Sequence, residues 1–153
     1  MRLSFVPLLA TLALTLAIPA ARAADDQPKQ TLIKDRAAFE RLIGNSGISL
    51  QWISWDQRGD VSADYSGDLL RLHGEQAAPD GRGRLVLDGV VTEVAATSFT
   101  FVGRIDILDS PDLGRDCRRD GEMTFRITQN RKYWRLQQME ACDGLTDYVD
   151  IYF

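Results

Sequence analysis

From Ile48 onward the apolar residues of this chain recur at every second position, a period that a helix cannot use. In TSFTFVGRIDIL, Phe99, Phe101, Ile105 and Ile107 share one face and Thr100, Arg104 and Asp106 the other, with Val102 the exception. ISLQWISW sets Ile48, Leu50 and Trp52 against Gln51, Ile53 and Trp55. A strand with one face in a core and one in water requires this alternation. Gly59, Gly67, Gly74, Gly81 and Gly89 follow one another at intervals of seven or eight residues, the turn spacing of a meander of short strands. The residues between them do not resemble one another, so the glycines are read as turns and not as a repeat. Strands are expected at 48–55, 60–66, 68–75, 83–88, 89–95, 97–108, 121–129, 131–139 and 146–153.

A helical period occurs once, in IKDRAAFERLIGNSG. Asp35 is placed to cap the first turn, Phe39, Leu42 and Ile43 fall on one face, and Gly44-Asn45 ends it. The expected fold is therefore mainly β: a small antiparallel meander barrel or coiled sheet of eight or nine short strands with one N-terminal helix. No stretch is long enough for βαβ units.

The first residues carry a different signal. Arg2 precedes an uncharged, mostly apolar run from Leu3 to Ile18, and Ala21-Arg22-Ala23 follows. That order marks a secretory signal peptide over 1–23, the run being too short for a membrane-spanning anchor. Residues 24–30 read as a polar leader and 31–153 as a single β-rich domain. The expected location is periplasmic or secreted. Without Arg2 and Arg22 the chain holds 16 basic and 22 acidic residues, a net charge of −6. Such a surface repels nucleic acid and suits a basic partner. The single histidine, His73, argues against imidazole catalysis and histidine-rich metal sites.

Exported chains meet oxidising conditions, and Cys117 and Cys142 are the only cysteines, so a disulfide between them is expected. A two-residue turn at Gln129-Asn130 would set Phe125 opposite Trp134, Met123 opposite Leu136 and Cys117 opposite Cys142. All three pairs would share the inward face, and the cysteines would fall at a non-hydrogen-bonded position close enough to bridge. A slip of the turn to Asn130-Arg131 would set Cys117 against Gly144 instead.

The C-terminal series Phe153, Ile151, Val149 resembles the end of a membrane barrel strand, but Asp147 continues it with a carboxylate. A closing strand of a soluble sheet is the preferred reading, with Val149, Ile151 and Phe153 inward. The acidic loop between Asp106 and Asp120 lacks calcium-loop spacing and contains Arg115, Arg118 and Arg119, so it reads as a solvated, charge-balanced loop. Candidate binding residues are Trp52, Trp55, Tyr133, Arg135 and Arg126. Trp52 and Trp55, with Tyr133 and Trp134, are candidates to line a ligand pocket in a barrel mouth. Tyr133 and Arg135 form with Arg126 a polar-aromatic stripe on the face opposite Trp134, a candidate contact surface. The leading functional reading is an exported, disulfide-stapled β-domain that binds a small ligand or partner, with no cofactor, metal or catalysis expected. The alternatives are an acidic inhibitor or envelope assembly factor directed at a basic protein, a carboxylate-based hydrolase, and a small outer-membrane barrel. A filled interior with an exposed aromatic and acidic face would favour the protein-directed alternative over a small ligand held inside.

Overall fold

The computed structural model describes residues 27–153. The signal segment expected at 1–23 and the first residues of the leader lie outside the described residues. In chain order the elements are β1 (Leu32–Ile33), α1 (Arg36–Ile43), β2 (Ile48–Leu50), β3 (Asp60–Ser66), β4 (Leu69–Ala77), β5 (Arg84–Val94), β6 (Ser98–Leu108), β7 (Asp116–Arg126), β8 (Tyr133–Leu136) and β9 (Val149–Tyr152). Eight strands follow one antiparallel path, β2-β9-β8-β7-β6-β5-β4-β3. The two ends of the path meet: the Ile48 amide donates to the Gly59 carbonyl at 3.0 Å, and the Gly59 amide donates back at 2.8 Å. The sheet is thus a nearly closed barrel, as the periodicity led one to expect. β1 was not foreseen; it lies parallel to β5, pairing Leu32 with Glu93 and Ile33 with Val94.

Helix α1 forms where its cap predicts. The Ala38 amide donates to the Asp35 carboxylate at 2.7 Å, and the Gly44 amide closes the last turn on the Glu40 carbonyl. Ala38, Phe39 and Leu42 are buried against the barrel core, whereas Ile43 faces out. The interior is filled by Trp134, Phe99, Phe101, Phe125 and the inward Leu, Ile and Val side chains of the long strands, all buried. Phe99 stacks on Phe125 at 4.8 Å between centroids and takes Trp134 edge-on at 5.7 Å.

Several boundaries move. β2 ends at Leu50, because the chain turns there to run over the outside of the sheet through Trp52 and Trp55. The strands expected at 83–88 and 89–95 are one, β5, and β7 begins five residues earlier than expected, at Asp116. β8 and β9 are shorter than expected, at four residues each. Of the five glycines read as turns, Gly67 and Gly81 are turns with positive φ, Gly59 closes the barrel, and Gly74 and Gly89 lie inside strands. Gly89 faces Gly103 across β5 and β6. A Cβ on either would come within 2.4 Å of a main-chain carbonyl oxygen of the facing strand and within 2.8 Å of the tip of the Phe101 ring, so the pair makes room first for the neighbouring strand.

The register between β7 and β8 is the slipped one. Phe125 faces Leu136 and Arg126 faces Arg135. The shift moves each residue along by two, so every side chain keeps its face and Trp134 still enters the core. Cys117 and Cys142 are nevertheless joined, with Cα atoms 5.8 Å apart. The ladder stops at Leu136, and the segment carrying Cys142 leaves it and returns to the bridge as a loop. Cys117 is fully buried beside Ile107, and Cys142 is half-buried and packs against the core. Changing both cysteines to alanine is expected to lower stability by about 3.5 kcal/mol, the chain-entropy value for a loop this long. Urea unfolding would read it, and an unmoved midpoint would show the bridge to be dispensable.

Candidate functional site

The connections β2–β3, β4–β5, β6–β7 and β8–β9 all emerge at one end of the barrel, with the disulfide beneath them. At that end Asp147 is fully buried and accepts four hydrogen bonds. Its Oδ1 takes the Trp52 indole N–H at 2.9 Å and Arg115 Nη1 at 2.9 Å. Its Oδ2 takes Arg115 Nη2 at 2.9 Å and Arg119 Nη2 at 2.7 Å. Arg119 also donates to the carbonyls of Gln138 and Met139, and its Nη1 lies 3.4 Å from Cys117 Sγ. Burial pushes the Asp147 carboxyl up, but the bonds from Arg115, Arg119 and Trp52 outweigh it and hold it below the usual carboxylate range. Arg115 and Arg119, expected in a solvated loop, are instead buried, because one carboxylate satisfies both.

Trp55, Tyr133 and Arg135 do come together, on the outside of β8 and β9. Arg135 forms a two-pronged ion pair with buried Asp150, both contacts at 2.7 Å. Its guanidinium stands 4.0 Å from the centroid of Tyr148, 5.2 Å from Tyr133 and 5.9 Å from Trp55. Burial pushes the Asp150 carboxyl up despite Arg135, and the bond to Asp150 raises Arg135. Arg126 is exposed on β7 opposite Arg135. Trp52 is separate from this group, being drawn to Asp147. Tyr148 and Asp150 were missed, as were Asp147, Arg115, Arg119 and Leu113. The one hint in the sequence was the excess of arginine, fifteen against three lysines, since arginine is the cation that pairs well when buried.

The outer face of β3–β7 is a shallow charged groove of about 840 Å³. Its exposed cross-strand pairs include His73–Asp88 at 2.9 Å, Arg104–Asp120 at 3.2 Å and Arg118–Asp106 at 2.7 Å. Ser62, His73 and Asp88 share one row across three strands. The Ser62 hydroxyl donates to the main-chain carbonyl of His73 at 3.3 Å, a bond that does not activate it as a nucleophile. Apolar inside and charged outside is the reverse of a barrel that spans lipid. Among the described residues no helix is long and apolar enough to cross a membrane.

A smaller cleft of about 400 Å³ opens at the loop end, between Trp52, Pro79, Asp80, Asp109 and Leu113. Trp52 is 39% exposed, Trp55 45% and Leu113 67%. The surrounding loops expose Asp56, Asp80, Asp109, Asp112, Glu140 and Asp143 against Arg58 and Arg82. This end thus combines exposed apolar side chains with several exposed carboxylates, and it stands on the buried Asp147 cluster.

The PM1083 family model matches residues 30–153, the barrel with its preceding helix. An uncharacterized protein PM1083 of Pasteurella multocida (strain Pm70) is 43% identical over 117 residues, covering 74% of each chain. No solved structure matches the chain.

Proposed function

The chain belongs to the PM1083 family, and from that premise we propose that it is an exported binding module whose loop end docks a basic protein. The observation that carries the reading is the combination of a filled interior with an exposed aromatic and acidic end. A ligand held inside the barrel would need the space that Trp134 and the three phenylalanines occupy. At the loop end, by contrast, Trp52 and Leu113 expose apolar surface among loops that carry six exposed carboxylates against two arginines. Interface anchors are commonly rigid aromatic side chains, and Trp52 is fixed through its N–H. The acidic rim would speed encounter with a positively charged partner and select against acidic ones. Export is supported by the expected signal segment at 1–23 and by the disulfide, which persists in oxidising compartments.

The test is affinity capture from an envelope extract, comparing the chain with its Leu113→Arg variant. Leu113 is exposed enough that the change should leave folding intact, and it sets a positive charge where a basic partner would land. A basic protein retained by the native chain at low salt, released at high salt and lost with the variant is the expected result. Identical capture by both proteins would overturn the reading.

A further inference from the structure

The chain covers its own aromatic rings with its own arginines. Arg36 stands over Phe39, Arg41 over Phe153, Arg58 over Tyr152, Arg131 over Tyr133, and Arg135 over Tyr133, Tyr148 and Trp55. Of the exposed rings, Trp55 thus has Arg135 and Tyr65 has the ring of Phe39 edge-on at 5.0 Å. Trp52 is the exception. Among the described residues neither a cation nor another ring covers it, although it forms a wall of the 400 Å³ cleft.

The rest of that cleft has the complementary chemistry. The Trp52 indole is held in place by its bond to Asp147. Asp109 accepts the Gly114 amide on Oδ1 at 2.6 Å, and its second oxygen has no partner among the described residues. Asp80 and Arg82 both line the cleft and neutralise each other in an ion pair at 2.9 Å, which leaves Asp109 as the lining carboxylate without a cation partner among the described residues. Leu113 and Pro79 supply apolar walls.

We propose that this cleft is a receptor for a single arginine side chain presented by the protein partner. The guanidinium plane would lie on the Trp52 indole, as that of Arg135 lies against Tyr148, with an N–H donated to the unused oxygen of Asp109. Leu113 and Pro79 would flank the aliphatic stem. A planar, weakly hydrated ion with forked donors suits a ring face beside a carboxylate better than the compact ammonium of lysine does. The inference rests on the protein-binding reading and names the group that the loop end recognises.

Titration of the ¹⁵N-labelled chain with N-acetyl-L-arginine amide tests it without any partner in hand. The Trp52 indole N–H, Asp109 and Leu113 resonances should shift saturably. The neutral isostere N-acetyl-L-citrulline amide should leave them in place. Asp109→Asn keeps the acceptor for the Gly114 amide but removes the charge, and should weaken the arginine response several-fold. An unshifted Trp52 resonance, or equal responses to citrulline or lysine amides, would overturn the assignment. Capture of a basic partner without an arginine response would sink the pocket and leave the docking reading standing. An arginine response with no partner captured would do the opposite.

Discussion

Asp147→Ala is expected to lower the free energy of unfolding by about 3–5 kcal/mol, a large fraction of the stability of a domain this size. The reason is what the change leaves behind. Arg115 and Arg119 are both buried, and Asp147 is the carboxylate that balances them. Arg115 retains only the exposed Asp143 at 3.2 Å and the Ser110 carbonyl, and Arg119 retains two carbonyls and the Cys117 sulfur, all uncharged. Two guanidinium groups would then sit out of water without a buried counter-charge. Asp143→Ala is the control: it removes an exposed partner of the same arginine and should cost less than about 1 kcal/mol. Urea unfolding followed by tryptophan fluorescence measures both, and similar midpoints for the two variants would refute this account of the cluster. Acid should act in the same direction. A carboxyl whose folded pKa lies below its unfolded value contributes stability above the unfolded value, and loses it as pH falls through the folded one. The effect reaches the loop end as well, since Asp147 holds the Trp52 indole from behind.

That cluster also marks where reading the sequence stops. β6 is legible to within a residue at each end because Phe99, Phe101, Ile105 and Ile107 keep one phase along it, and β3 because Gly59 and Gly67 bracket it. The helix start was legible because Asp35 acts on an amide three residues away. The disulfide pairing needed no geometry at all, with only two cysteines to join. The register between β7 and β8 was not legible, because a slip by two conserves every side chain's face and so leaves no trace in the apolar pattern. Asp147 lies 32 residues from Arg115, and nothing local to either announces the other. For the candidate site the same division holds. Tyr133 and Arg135 lie side by side because they share a strand and its outer face, an adjacency that the alternation implies. Trp52 and Trp55, read together as lining of a barrel mouth, part company because the turn after Leu50 sends Trp52 to Asp147 and Trp55 to Arg135 and Tyr148.

The glycines of β5 and β6 give the second large effect. Gly89→Ala is expected to destabilise the barrel by about 3 kcal/mol or more, well beyond the usual cost of alanine in a strand. Its new methyl would stand 2.4 Å from the Val102 carbonyl oxygen, 2.6 Å from the tip of the Phe101 ring and 2.7 Å from the Gly103 Cα. Two of those three atoms belong to the main chain of the neighbouring strand, so rotating a side chain cannot relieve the clash. β5 and β6 would have to separate near the middle of their ladder. Gly121→Ala separates this cause from backbone strain. Gly121 lies opposite Gly103 on β7 with nothing within 4 Å of its missing Cβ, but it has φ of 108°. Its variant should therefore cost only about 1–2 kcal/mol, from the left-handed conformation alone. Phe101→Leu in the Gly89→Ala background provides the finer test. If the ring were the main obstacle, shortening it would restore stability; if the Val102 carbonyl and Gly103 Cα dominate, as the distances indicate, the double variant stays as unstable as the single one or becomes less stable. Thermal unfolding of the four proteins decides between these outcomes, and full recovery in the double variant would show that Gly89 makes room for a side chain rather than for the neighbouring strand.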